Sequence, residues 1–158
     1  MSDLNDFVAT IYNSKKTVVT KTHSSITNAN VTGNVGLELS SLEHTITDNV
    51  QSVVIVGTIT SYIQGVSTWH TLNCWRNIIP PYNLDTFDHS TLIGGVTLWT
   101  MLPSDETKSA SFILVDNNVG DSTAMTYKWS LKLGTGNTQN RSITVKYLTN
   151  PLWDLRDL

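Results

Sequence analysis

The stretch that decides the fold is Thr126-Tyr127-Lys128-Trp129-Ser130-Leu131-Lys132-Leu133. Its apolar residues, Tyr127, Trp129, Leu131 and Leu133, alternate with Lys128, Ser130 and Lys132. Successive side chains on a strand point to opposite faces, so this pattern describes a β-strand with one buried and one wet face. A helix would place its apolar residues three and four apart instead. Gly134-Thr135-Gly136-Asn137 then marks a turn, and Ser142–Leu148 returns with Ile143, Val145 and Tyr147 on one side. Pro151 ends the return.

Working outward, the same period of two governs most of the chain. Ala110–Val115 reads as a strand followed by a turn-rich loop, Asp116–Asp121, and Val96–Leu102 reads as a strand preceded by Gly94-Gly95. Trp69, Thr71, Asn73 and Trp75 alternate with His70, Leu72, Cys74 and Arg76 before Pro80-Pro81 breaks the chain into a long loop, 79–90. Val50–Ile63 is a long β-branched run with Val53, Ile55, Ile59 and Ile63 on one face and Val54, Val56, Thr58, Thr60 and Tyr62 on the other, a pattern that predicts cover on both sides. Lys16–Thr22, Ser25–Val31, Val35–Leu39 and Glu43–Ile46 read as short strands. Strands without intervening crossover helices predict an all-β, antiparallel sandwich or jelly roll. The exception is residues 2–13, where Leu4, Phe7, Val8, Ile11 and Tyr12 form one helical stripe behind the capping residue Ser2. The expected organisation is an amphipathic helix in 1–15, a jelly-roll domain in 16–149 and a tail in 150–158.

Composition narrows the function. The 158 residues are 39% hydrophobic but only 15% charged, with Thr, Ser and Asn filling the difference. The formal net charge is −3, from 10 Lys and Arg against 13 Asp and Glu, and no basic stripe or arm is present. A nucleic-acid partner is therefore not expected, and neither is a small coat protein that packages RNA on a basic arm. A single cysteine, Cys74, excludes an intrachain disulfide and reads as a small buried hydrophobe. The acidic start, Ser2-Asp3-Leu4-Asn5-Asp6, lacks the basic character of a secretory signal, and no apolar run approaches the ~18 residues of a membrane span.

Three stretches resemble small phage and prophage tail-fibre domains whose fold is that of tumour necrosis factor and the complement globular head. They are Val31-Thr32-Gly33 through Val53-Val54-Ile55-Val56, Ser111-Phe112-Ile113-Leu114-Val115-Asp116 with Gly120, and Thr126–Lys132 followed by Gly134, Gly136 and Asn140-Arg141-Ser142-Ile143-Thr144-Val145. The last looks like that family's final hairpin. The resemblance covers about residues 17–148 and implies a tumour-necrosis-factor-like jelly roll, a homotrimer around a three-fold axis, and a place on the virion as fibre, spike or decoration subunit. The aromatic 78–95 loop, the helix and the tail depart from the pattern.

No residue grouping carries a catalytic signature. None of His23, His44, His70 and His89 has metal-ligand spacing, and no nucleophile elbow, phosphate loop or dinucleotide fingerprint is present. Asp85, Asp88 and His89 read either as a cation site or as a solvated loop, and Asp116, Asn117, Asn118 and Asp121 either as a calcium loop or as turn residues. Trp129 and Trp99 read as core, and Trp69 and Trp75 as core or trimer seam. The expectation is a non-enzymatic virion protein of a bacteriophage, without cofactor or metal. Its partners would be copies of itself, other virion proteins and a host-surface glycan or protein. Tyr82, Asp85, Phe87, Asp88 and His89 are the candidate receptor or partner contacts, and Leu4, Phe7, Val8, Ile11, Tyr12, Leu152 and Trp153 the candidate attachment residues. The alternatives are a small icosahedral capsid protein and a sandwich-type lectin or pore former.

Overall fold

The computed structural model describes residues 3–6, 17–26, 37–47, 50–64, 69–77, 92–99, 106–117, 124–133 and 137–151. The strands are β1 (Thr17–Ser25), β2 (Leu37–Glu38), β3 (His44–Ile46), β4 (Val50–Gln64), β5 (Trp69–Arg76), β6 (Leu92–Trp99), β7 (Glu106–Asp116), β8 (Met125–Leu133) and β9 (Asn137–Pro151). A 3-10 turn, Ser40–Leu42, separates β2 from β3. One sheet has the order β1-β9-β4-β7 and the other β2-β8-β5-β6, with β3 also on β8. All pairs are antiparallel. If β2 and β3 count as one interrupted strand, the sheets run first–eighth–third–sixth and second–seventh–fourth–fifth. That is the order of a jelly roll, two packed sheets threaded by Greek-key connections.

The core follows from the alternation. Val53, Ile55, Ile59, Ile143, Val145 and Tyr147 of the first sheet meet Leu72, Cys74, Tyr127, Trp129 and Leu131 of the second, all buried. Across this interface Trp129 Nε1 donates to Tyr147 Oη at 2.6 Å, and Tyr147 Oη donates to the Leu42 carbonyl at 2.6 Å. The bonds tie β8, β9 and the 3-10 turn together and leave neither buried polar group unsatisfied. Gly57 is required where it stands. A Cβ there would lie 2.5 Å from Phe112 Cζ and 2.7 Å from the Thr144 carbonyl, and the Phe112 ring packs on Trp129 at 5.7 Å between centroids.

Several expectations change. β8 and β9 do not form a hairpin: they lie in opposite sheets. Alternation shows which face is buried but not which strand is the neighbour, and Trp129 and Tyr147 satisfy their patterns by facing each other. β6 starts at Leu92, so Gly94 and Gly95 lie inside the strand and not before it. A Cβ on Gly94 would come within 2.8 Å of Leu114 Cδ2, so the close approach of another strand requires the glycine. β1 runs unbroken through Ser25, where two strands are expected; residues 27–31 lie outside the described residues. β4 is covered on one face, since Val54 and Val56 are half-buried and Thr58 is exposed. Cys74 is buried as expected, and burial pushes its thiol pKa up.

Candidate functional site

One end of the sandwich is marked by Asp116, the last residue of β7. Its carboxylate is buried and accepts Arg76 Nη1 at 2.6 and 2.8 Å and Tyr127 Oη at 2.8 Å. Arg76 and Tyr127 belong to the second sheet and Asp116 to the first, so the cluster clamps the sheets together. Burial and the bond to Asp116 raise the Tyr127 pKa. Asn77 follows at φ 53, a left-handed conformation that asparagine tolerates. Its amide donates to the Thr126 carbonyl at 2.8 Å, and its Oδ1 accepts the Thr126 amide at 2.8 Å. Of the four residues read either as a calcium loop or as turn residues, Asp116 turns its side chain to Arg76 and Tyr127. Asn117 is exposed, and Asn118 and Asp121 lie outside the described residues.

The other end carries His70 of β5, six residues from Arg76 and about 20 Å away along the strand. His70 is 0% exposed, and neither ring nitrogen has a hydrogen-bond partner. Arg141 of β9 is buried beside it, and Ser61 of β4 is buried at the same end. His23 of β1 bonds through Nδ1 to Ser41 Oγ at 3.0 Å, while its Nε2 is buried and unbonded. Burial first, and then the Arg141 guanidinium, push the His70 pKa down to about 4 and lower that of His23. The signal for this cluster was in the sequence. His70 and Arg141 occupy core-facing positions in His70-x-Leu72-x-Cys74 and Arg141-x-Ile143-x-Val145-x-Tyr147.

The outer face of the first sheet is divided in two. Toward the Asp116 end, register places Val18, Leu148, Val54 and Val115 in one row across four strands, and Thr20, Lys146, Val56 and Ile113 in the next. Val18 is 58% exposed, Ile113 71% and Val115 51%. The following rows are Thr22, Thr144, Thr58, Ser111 and then Ser24, Ser142, Thr60, Ser109, with Thr60 and Ser109 hydroxyls bonded at 2.8 Å. Between the halves lies an open concavity of about 750 Å³, lined by Val56, Thr58, Ser111, Ile113, Thr144 and Lys146. The face escapes a reading that assigns one wet side to each strand. Its trace is the second apolar parity in Ile113 and Val115, opposite Phe112 and Leu114.

Of the expected site residues, Tyr82, Asp85, Phe87, Asp88, His89, Phe7, Val8, Ile11, Tyr12, Leu152 and Trp153 lie outside the described residues, and Leu4 is exposed in a helical turn, 3–6. The strand ends nearest to them are described, and all belong to the Asp116 end. Thr17, where β1 begins, pairs with Thr149; β9 closes at Pro151; and β5 ends at Arg76, opposite Tyr127. Trp75 is buried with its Nε1 donating to Ser130 Oγ at 3.0 Å, whereas Trp69 is half-buried under the Lys132 ammonium, 5.6 Å from the ring centroid. Among the described residues no group of three or more His, Cys, Asp and Glu could hold a metal ion, and no helix is long and apolar enough to cross a membrane.

No protein-family model matches the sequence, and no curated protein matches it. Solved structures do. VP2 of infectious bursal disease virus, in its subviral particle, superposes with a TM-score of 0.56 and 13% identity over 86% of this chain and 33% of VP2. The chain thus spans about a third of the length of VP2. The globular domain of zebrafish complement 1qA protein covers 88% of this chain and 99% of its own, at 9% identity and a TM-score of 0.47. At 13% identity the likeness to VP2 is one of fold.

Proposed function

We propose that this chain is a structural subunit of a virus particle, a fibre, spike or decoration protein of a bacteriophage, which assembles as a homotrimer and does not catalyse. The observation that carries this reading is the apolar half of the first sheet's outer face. A closed sandwich has already buried its core, so a second contiguous set, Val18, Val54, Val56, Ile113, Val115 and Leu148, is surplus to folding. Copies of the chain provide matching surface without a new partner. The jelly-roll fold is shared with VP2 of the infectious bursal disease virus subviral particle. The assignment to a bacteriophage is supported by the resemblance to tail-fibre domains.

The strand ends also suggest an orientation. β1 begins and β9 closes at the Asp116 end, and the 77–91 connection leaves from it. Attachment through Leu4, Phe7, Val8, Ile11, Tyr12, Leu152 or Trp153 would hold that end toward the particle. Tyr82, Asp85, Phe87, Asp88 and His89 would then contact a virion protein more readily than a host glycan. Multi-angle light scattering tests the self-assembly. The expected mass is that of a trimer at micromolar concentration, reduced to a monomer by Ile113→Lys with Val115→Lys. A wild-type monomer would overturn the reading.

A further inference from the structure

We propose that the two edge strands of the first sheet are a matched pair, and that β7 of one copy binds β1 of the next as an antiparallel ladder that closes the trimer. The inference rests on the trimer reading and names the joint within it. Among the described residues β1 pairs only with β9, and β7 only with β4. Both strands are long, nine and eleven residues. Both keep unbroken register with their neighbour, and neither contains proline. Their outward-facing residues, Val18 to Ser24 on β1 and Thr107 to Val115 on β7, are all uncharged. Sheet edges are ordinarily guarded by shortness, charge or a bulge. The second sheet follows that rule. β2 has two residues, one of them the exposed Glu38, and β6 is bulged opposite Cys74 and Trp75. The edges of the first sheet carry none of these guards. β6 approaches β7 at its inward residue Leu114 but takes no part in its ladder.

In the row Val18, Leu148, Val54, Val115 the central Leu148 and Val54 are half-buried, and the edge residues Val18 and Val115 are exposed. A side chain at an edge has a neighbour on one side only, and a further strand at about 4.8 Å supplies the other. The sheet is antiparallel throughout and has four strands, so its two edges run in opposite directions. Setting β7 beside β1 of the next copy is therefore antiparallel with both copies pointing the same way. Copies so placed are related head to tail by rotation about an axis along the strands, the operation that closes a three-membered ring. Register separates this joint from its alternatives. Head to tail, each row of the face continues into the next copy: Val115 meets Val18 at the apolar end, and Ser111 meets Thr22 and Ser109 meets Ser24 in the hydroxyl half. A two-fold joint, β7 on β7 or β1 on β1, lays the apolar end of one strand against the hydroxyl end of the other. It also cannot produce an odd number of copies.

The test is disulfide trapping in the full chain, with the buried Cys74 retained. Residues opposite each other in an antiparallel ladder have Cα atoms about 4.5–5.5 Å apart, within disulfide reach. Within one copy, Val18 and Val115 stand about 14 Å apart across three strand spacings and cannot be joined. Val18→Cys with Val115→Cys should therefore give, on mild oxidation, a covalent species of three chains on non-reducing electrophoresis. Ser24→Cys with Val115→Cys, displaced along the strand, should give at least about tenfold less of it. A trimeric mass by light scattering with no preference for the first pair overturns the joint and leaves the trimer standing. Any other mass overturns the trimer reading and the joint with it. Hydrogen exchange needs no cysteines. Alternate amides of β1, those turned away from β9, should exchange at least about tenfold more slowly in the wild type than in Ile113→Lys with Val115→Lys, whose changes lie on β7. Equal exchange in the two proteins would count against the joint.

Discussion

The Asp116 end and the His70 end of this sandwich each bury charged or ionisable groups between the same two sheets. At the Asp116 end the carboxylate accepts from Arg76 and Tyr127, and opposite charges meet across the interior. At the His70 end the imidazole is fully buried and both of its ring nitrogens are unbonded, and burial lowers its pKa. Burial is common to both, so burial alone does not make a clamp. Complementarity of the partners decides.

The largest expected effect breaks the clamp. Asp116→Ala removes the buried carboxylate that accepts from Arg76 and the Tyr127 hydroxyl, and urea unfolding should show a loss of about 3–5 kcal/mol. Next comes acid at the other end. The displacement of His70 from 6.5 to about 4 corresponds to a loss of about 3 kcal/mol as pH falls through that interval. Denaturation at stepped pH should reveal it, and His70→Leu should remove most of it. Tyr127→Phe sharpens the contrast, since Asp116 keeps Arg76. A loss of about 1 kcal/mol is expected, and a loss as large as that of Asp116→Ala would mean that the hydroxyl rather than the ion pair is the clamp. The smallest change in stability should come from Ile113→Lys on the exposed face, within about 0.5 kcal/mol by the same measurement. Its effect belongs to the light-scattering mass.

Much of the architecture could be read from the residues, because alternation is a local property. Tyr127, Trp129 and Leu131 announce a strand and its buried face without reference to anything distant. The partner strand is a non-local property, so the same residues could not show that β8 and β9 lie in different sheets. Gly94 shows the same limit. A double glycine reads as a break, and only the approach of Leu114 explains why it belongs inside a strand. Asp116 beside Asn117 and Asn118 has the composition of a turn, and its inward rotation depends on Arg76, forty residues earlier. The outer apolar face was hidden for another reason. Ile113 and Val115 look like ordinary strand residues until register sets them beside Val54, Val56, Leu148 and Val18.

The position of β9 also bears on how the protein is made. Of the described strands it leaves the ribosome last, yet it lies inside its sheet, with β1 on one side and β4 on the other. Thr17 waits for Thr149, and Ile55 for Tyr147. Until residues 137–151 emerge, both earlier strands expose edges that a neighbouring nascent chain can occupy. Synthesis on crowded polysomes should therefore favour intertwined products, and slower translation before the last strand will not relieve this, because the missing piece is the one still to come.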